Sequence, residues 1–361
     1  MGLTILKTAV TRFTSAVREE MTPVSTNFLT LDFLRFFAAL IVIMLHYNQE
    51  IATVELHDLA HRLLSHGHLS VDLFFVISGF IISYVYWGKI SSKAQYGKFL
   101  IKRIARLWPL HILLLVAYLG IWGATTLADI PLRNPDKYDV SCIVPHALMV
   151  HAFGTCDGLA FNYVSWSISA EMGMYVLTPL FFLIAVRSIG GVLAASIAAS
   201  ALLVWGTAHF SSFTYLDLAS QFGVLRAIPA FLFGIFLYRV REKLGFIPVP
   251  QILLWVMMIG FFGLSFLYPD LSNYAFIGLI YAVALFAVSA DMRGAVPAPI
   301  KCLAPLGNLT YGSYMLHPII STVIFVFVAQ HILRLTGISN DITILLMVPL
   351  SFIAAVFSLV L

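Results

Sequence analysis

The sequence predicts an all-α, polytopic membrane protein of about ten transmembrane helices with both termini in the cytoplasm. Three observations carry that prediction. Of 361 residues, 60% are hydrophobic and only 11% are charged, where an ordinary soluble domain carries roughly a quarter charged residues. Ten stretches have the about 20 apolar residues a helix needs to cross the hydrocarbon. The basic residues are distributed unevenly among the segments between those stretches. The same composition excludes other classes: a formal charge of +4 is too small a surplus for a nucleic-acid binder, and 14% aromatic residues exclude a disordered chain.

The ten stretches lie near 28–49, 70–88, 107–127, 162–186, 188–208, 221–239, 249–268, 273–290, 306–328 and 342–361. Fifteen of the 21 Lys and Arg residues, from Lys7 to Lys301, fall on the side shared by the N-terminus. Arg62, Arg133, Lys137 and Arg334 fall on the other, and Arg35 and Arg226 lie within spans. The positive-inside rule makes the richer side cytoplasmic. Residues 1–27 lack the apolar core of a targeting peptide and read as a cytoplasmic arm, with 28–361 forming a single membrane domain. Cys142 and Cys156 share the longest outer segment, where they either form a disulfide or pack as two small buried side chains. In the first outer loop His57 and His61 have i,i+4 spacing, but HDLAH lacks the glutamate of a zinc motif. A solvated amphipathic segment is expected there, and no metal.

Charges at membrane depth are costly and mark sites by default. Arg35 and His46 are eleven residues apart, so they share one helix face about 16 Å apart along the axis, and Asp32 shares the side of Arg35. Arg35 reads either as a snorkelling arginine paired with Asp32 or as part of a site. His46 reads as an interfacial or a functional histidine. Asp72, Glu171 and Arg226 reach similar depth, and Ser167, Glu171 and Tyr175 form a polar stripe at i,i+4 spacing. Asn308, Thr310, Tyr311, Tyr314 and His317 make the first half of the ninth span polar. His317 there fits either a packing histidine bonded to a backbone carbonyl or a site residue. At the inner interface Lys102, Arg103 and Arg106 precede Trp108 and Pro109. Forked guanidinium donors on adjacent turns suit phosphate oxygens, and also serve as topology signals or headgroup anchors.

Six segments together resemble the acyltransferase type 3 family, bacterial integral-membrane O-acyltransferases that decorate surface polysaccharides, usually from an acyl-CoA. LDFLRFFAALIVIMLHY is similar to the family's arginine, ten residues, histidine signature at Arg35 and His46. GHLSVDLFFVISGFIIS resembles its glycine-to-SGF motif, with Gly67, Asp72, Phe74, Ser78 and Gly79. KFLIKRIARLWPLH resembles the inner arginine pair at Arg103 and Arg106, and WSISAEMGMYVLTPL the tryptophan–serine–glutamate motif at Trp166, Ser167 and Glu171. RAIPAFLFG, at Arg226 and Gly234, and LGNLTYGSYMLHP, ending at His317, complete the set. His111 and Thr310 depart from the tyrosine and serine usual at those places. The glutamate–proline element that often follows the last span does not appear before Leu361.

The resemblance implies a multi-pass protein of the bacterial inner membrane that moves an acyl group, acetyl foremost, from acyl-CoA to a glycan or lipid-linked glycan hydroxyl. It implies no tightly bound cofactor, and no nucleic-acid partner. Acyl transfer needs a base, an oxyanion stabiliser and a holder for the leaving group. His46 suits the base by its ordinary pKa, or a transient acyl carrier. Glu171 is expected to orient or charge-balance that imidazole, with Arg35 completing the catalytic set. Arg103, Arg106 and Lys102 are expected to hold the donor's phosphates. Asp32, Asp72, Ser78, Trp166, Ser167, Tyr175, Arg226, Asn308, Tyr314 and His317 are further pocket candidates. A proton-coupled secondary transporter of a small organic acid or sugar is the alternative, since intramembrane ionisable rows also mark ion pathways.

Overall fold

A computed structural model describes residues 28–49, 57–130, 132, 134–210, 214–294, 296–323 and 348–356. They are helical with no strand among them: α1 (Leu29–Gln49), α2 (His57–Leu64), α3 (Ser70–Tyr86), α4 (Lys93–Leu127), α5 (Ile143–Ala147), α6 (Trp166–Arg187), α7 (Ile189–Phe210), α8 (Gly223–Leu244), α9 (Pro250–Leu267), α10 (Tyr274–Arg293), α11 (Ala298–Leu303) and α12 (Thr310–Ser321). Eight helical stretches among the described residues are long and apolar enough to cross a membrane, and each overlaps one of the first eight predicted spans. Of the ninth, α12 and the 3₁₀ turn Ala304–Leu309 before it are described, and of the tenth, helical residues 348–356. The arm 1–27 lies outside the described residues.

The centre of the bundle is the crossing of α3 and α8, where small residues let two backbones touch. A Cβ on Gly79 would stand 2.1 Å from the Phe231 carbonyl oxygen, and one on Gly234 2.1 Å from that of Val76. In lipid, close packing of this kind replaces the hydrophobic drive that water supplies to soluble cores. The Arg226 guanidinium seals the same crossing: Nη2 donates to Asp72 Oδ2 at 2.7 Å and Nε to Oδ1 at 3.3 Å, with both side chains at 3% exposure or less. Nη2 also lies 3.3 Å from the His68 carbonyl, and the guanidinium stacks over Trp166 at 5.2 Å.

Helix α4 differs from expectation. The sequence places its span at 107–127, but the helix starts at Lys93 and runs 35 residues, roughly 52 Å at 1.5 Å per residue. Ser92 caps it by accepting from the Gln95 N–H, and Pro109 is accommodated within it. Hydropathy alone separates the basic turns 93–106 from the apolar ones, whereas the backbone meets no helix-breaking pair there and continues. Arg103 and Arg106 therefore ride on the rod that walls the bundle.

Two buried polar devices fix the neighbouring elements. Asp291, near the end of α10, accepts from the backbone N–H groups of Thr30 at 2.8 Å and Leu31 at 3.1 Å, satisfying orphan donors of the α1 first turn with a carboxylate. His66 is buried against Phe276 with ring centroids 3.7 Å apart and bonds the Leu271 carbonyl. Asp58, His61 and Arg62 on α2 are exposed, as an amphipathic segment requires. Cys142 and Cys156 form a disulfide.

Gly234→Ala is expected to cost about 1–3 kcal/mol through backbone displacement, whereas Gly260→Ala, with nothing within 4 Å of the added carbon, should be neutral. Thermal unfolding in detergent compares the two. Asp72→Ala should cost about 3–5 kcal/mol by leaving a buried guanidinium unpaired, and Asp72→Leu combined with Arg226→Met should recover most of it, as read from the same melts.

Candidate active site

Helices α1, α3, α4, α6 and α12 enclose a cavity of about 100 Å³. Its polar lining comes from one to three residues per helix: Arg35, Ser78, Arg103 and Arg106, Glu171 with Ser167 and Tyr175, and Thr310, Tyr311 and Tyr314. The i,i+4 stripe on α6 faces this space along its whole length, because successive members return to the same helix face every turn. Glu171 Oε1 accepts from Ser78 Oγ and from Tyr175 Oη, each at 2.5 Å. Two short charge-assisted bonds fix its position against α3 and its own helix. Arg103 donates from Nη2 to Tyr86 Oη at 3.2 Å and lies over the rings of Tyr86 and Tyr175 at 5.4 and 5.9 Å. Arg35 lies 3.6 Å from Asp32 on its own helix. Three guanidiniums against one carboxylate in the lining make the cavity an anion-attracting one. Tyr311 is tied to the Leu107 carbonyl, which joins α12 to α4 beside the arginines.

Three turns beyond Arg35 on α1, His46 meets α12. Its Nδ1 stands 2.9 Å from His317 Nε2, the two rings stacked at 5.1 Å and tilted 10°. His317 Nδ1 in turn faces the Tyr314 carbonyl at 2.7 Å. A carbonyl only accepts, so neutral His317 carries its hydrogen on Nδ1 and presents a lone pair at Nε2. His46 must then donate from Nδ1, which leaves Nε2 as its basic nitrogen. Tyr163 closes edge-on over His46 at 5.0 Å, and Tyr47 Oη donates to the His317 carbonyl at 3.2 Å. Tyr314 links the two regions: its side chain lines the cavity and pairs with Ser167 Oγ at 2.9 Å, and its carbonyl orients His317.

The structure sorts the residues singled out in the sequence. Arg35, Ser78, Arg103, Arg106, Ser167, Glu171, Tyr175 and Tyr314 line one cavity. His46 and His317 pair beside Tyr314 and are not in the lining. Several expectations need correction. Glu171 engages Ser78 and Tyr175, and the partner that orients the His46 imidazole is His317. Asp72, Trp166 and Arg226 lie outside the lining and form the ion-pair and cation–π cluster that holds α3, α6 and α8 together. Lys102 is exposed and lies outside the lining. Asp32 and Asn308 lie outside the lining as well, Asp32 beside Arg35 and Asn308 in the turn before α12. Tyr86 was not foreseen, since a tyrosine at the end of an apolar span carries no signal that an arginine 17 residues on will rest on it.

The family described as an acyltransferase domain matches residues 28–361. Acyltransferase MdmB from Streptomyces mycarofaciens is 30% identical over 159 residues, which is 41% of this chain and 38% of that protein. Protein 2 in picA locus from Rhizobium radiobacter is 28% identical over 154 residues, 42% of this chain and 73% of that protein. The alignment thus spans well under half the length of the first relative. No solved structure matches. With the family match covering all ten predicted spans and all six motifs, the chain belongs to the acyltransferase type 3 family, and eight helices among its described residues are long and apolar enough to cross a membrane.

Proposed function

We propose that this enzyme moves an acyl group, acetyl foremost, from acyl-CoA to a hydroxyl of a cell-surface polysaccharide or its lipid-linked sugar precursor, in the bacterial inner membrane. The observation that carries the reading is the cavity that gathers Arg35, Arg103 and Arg106 around Glu171, next to an imidazole pair. Guanidiniums offer the forked donors that nucleotide phosphates accept. A cavity of about 100 Å³ is smaller than the roughly 300–1,000 Å³ of sites that enclose a whole drug-sized ligand. It suits a thin pantetheine arm and a small acyl group, with the nucleotide held at the basic end of α4. No tightly bound cofactor enters the scheme. Acyl-CoA is a co-substrate.

In this mechanism His46 Nε2 takes the proton of the acceptor hydroxyl as its oxygen bonds to the thioester carbon. The tetrahedral intermediate collapses with cleavage of the carbon–sulfur bond, and the departing thiolate receives the proton from His46. His317, held by the Tyr314 carbonyl, fixes the His46 tautomer that leaves Nε2 unprotonated and spreads the transient positive charge. His317 is therefore a positioning residue. Glu171 keeps Ser78 and Tyr175 in place on the cavity wall and offsets the local cationic charge.

His46→Ala is expected to lower kcat by roughly 10²- to 10⁴-fold with the purified protein still monodisperse. Transfer at more than a tenth of the wild-type rate would remove His46 from the mechanism. His317→Ala should reduce kcat while the Kd for acyl-CoA stays constant. Replacing Arg103 and Arg106 together by Ala should weaken acyl-CoA binding at least tenfold, measured by calorimetry on detergent-solubilised enzyme, and unchanged affinity would refute their role. The acyl and acceptor assignment is tested by mass spectrometry of surface glycans from strains with and without the gene: the expected difference is one acetyl group per modified residue.

A further inference from the structure

Outside the cavity, three histidines far apart in sequence converge. His111 comes from α4, His146 from the short helix α5, and His151 from the turn that follows. All are buried, at 1%, 2% and 3% exposure. Each brings a ring nitrogen within 4.8 Å of the others'. The rings lie nearly parallel: His146 and His151 are 3.8 Å apart between centroids, and His111 is 5.9 and 5.5 Å from them. The disulfide from Cys142 to Cys156 closes the chain around His146 and His151.

The hydrogen bonds fix which nitrogens are bare. His111 Nε2 faces the His146 carbonyl at 2.8 Å and must donate to it, so its Nδ1 carries a lone pair. Ser165 Oγ spends its single hydrogen on the Asn162 carbonyl at 2.7 Å and so accepts from His151 Nε2 at 3.0 Å, leaving a lone pair on His151 Nδ1 as well. Both Nδ1 atoms are buried with no hydrogen-bond partner among the described residues. Two bare acceptors cannot satisfy one another, and buried polar atoms ordinarily find a partner. A donor or an electrophile placed between them would satisfy both. Neutral imidazole is the form in which histidine ligates metal.

We propose that His111, His146 and His151 bind one divalent transition-metal ion, zinc being the best match. A neutral, all-nitrogen donor set favours zinc, copper or nickel over magnesium or calcium, which take oxygen ligands. The nearby cysteines are joined in the disulfide and so offer no thiolate. Binding turns the rings out of their parallel stack, so that the lone pairs converge and the nitrogens close from 4.8 Å to the ~3.3 Å separation that ~2.05 Å zinc–nitrogen bonds give in a tetrahedron. The Nε2–H bonds to the His146 carbonyl and Ser165 hydroxyl are the outer contacts that orient metal-bound histidines. The ion clamps the disulfide loop onto α4 and onto Ser165, the residue before α6, two positions ahead of Ser167 in the cavity wall. The site is independent of the acyl-transfer reading, because its ligands do not line that cavity.

The test is elemental analysis of full-length protein purified in detergent from zinc-supplemented cells, followed by chelator stripping and titration with Co²⁺ or Zn²⁺. About one zinc per chain is expected, with visible d–d absorption on cobalt loading and a higher melting temperature on reloading. His146→Gln and His151→Gln should abolish metal retention, and His57→Gln with His61→Gln should not. Wild-type protein that stays below about a tenth of an equivalent and gives no cobalt absorption would overturn the proposal without recourse to any variant. Full retention by both His146→Gln and His151→Gln would overturn it equally.

Discussion

The bundle depends on the crossing of α3 with α8. Two helices in lipid gain nothing from excluding hydrocarbon, so they hold together only by close packing and by polar contacts that lipid cannot replace. Gly79 and Gly234 supply the first and Asp72 with Arg226 the second, at the same crossing. Neither works without the other. An unpaired carboxylate or guanidinium at that depth would be far costlier than the pair, and the pair meets only because two glycines let the backbones approach. Around this join α6 and α7 stack on α8, α10 braces both, and α1 is pinned to α10 through Asp291. Ser78 is one residue from Gly79, so the contact that fixes the helices also fixes the cavity wall.

Intramembrane ionisable groups thus divide by what their partners are. Asp72, Arg226 and Asp291 are satisfied by protein on every side seen, and they build the frame. Arg35, Arg103, Arg106 and Glu171 open onto shared empty space. The long α4 connects the basic turns near its start to the wall of that space without a break, so a ligand held at one end is in register with the other. The His46–His317 pair sits farther along, coupled to the cavity through both the side chain and the carbonyl of Tyr314.

Sequence by itself determined the class of fold, the approximate places of the first eight spans and the polar stripe of α6. These follow from local rules: apolar length against bilayer thickness, and a 3.6-residue period that puts Ser167, Glu171 and Tyr175 in one stripe. The motif resemblance determined the family for the same reason, since motifs are local. Only the tertiary structure decided partnership. Residue spacing along one helix says nothing of the azimuth of another, so Glu171, expected beside His46, turned out to hold Ser78 and Tyr175, while His46 found His317, 271 residues away. Asp72 and Arg226, equal to Glu171 in depth, proved structural because α3 and α8 cross where both are buried. The convergence of His111 with His146 and His151 was invisible for the same physical reason: it requires a disulfide-closed loop folded back on α4, a geometry no periodicity encodes.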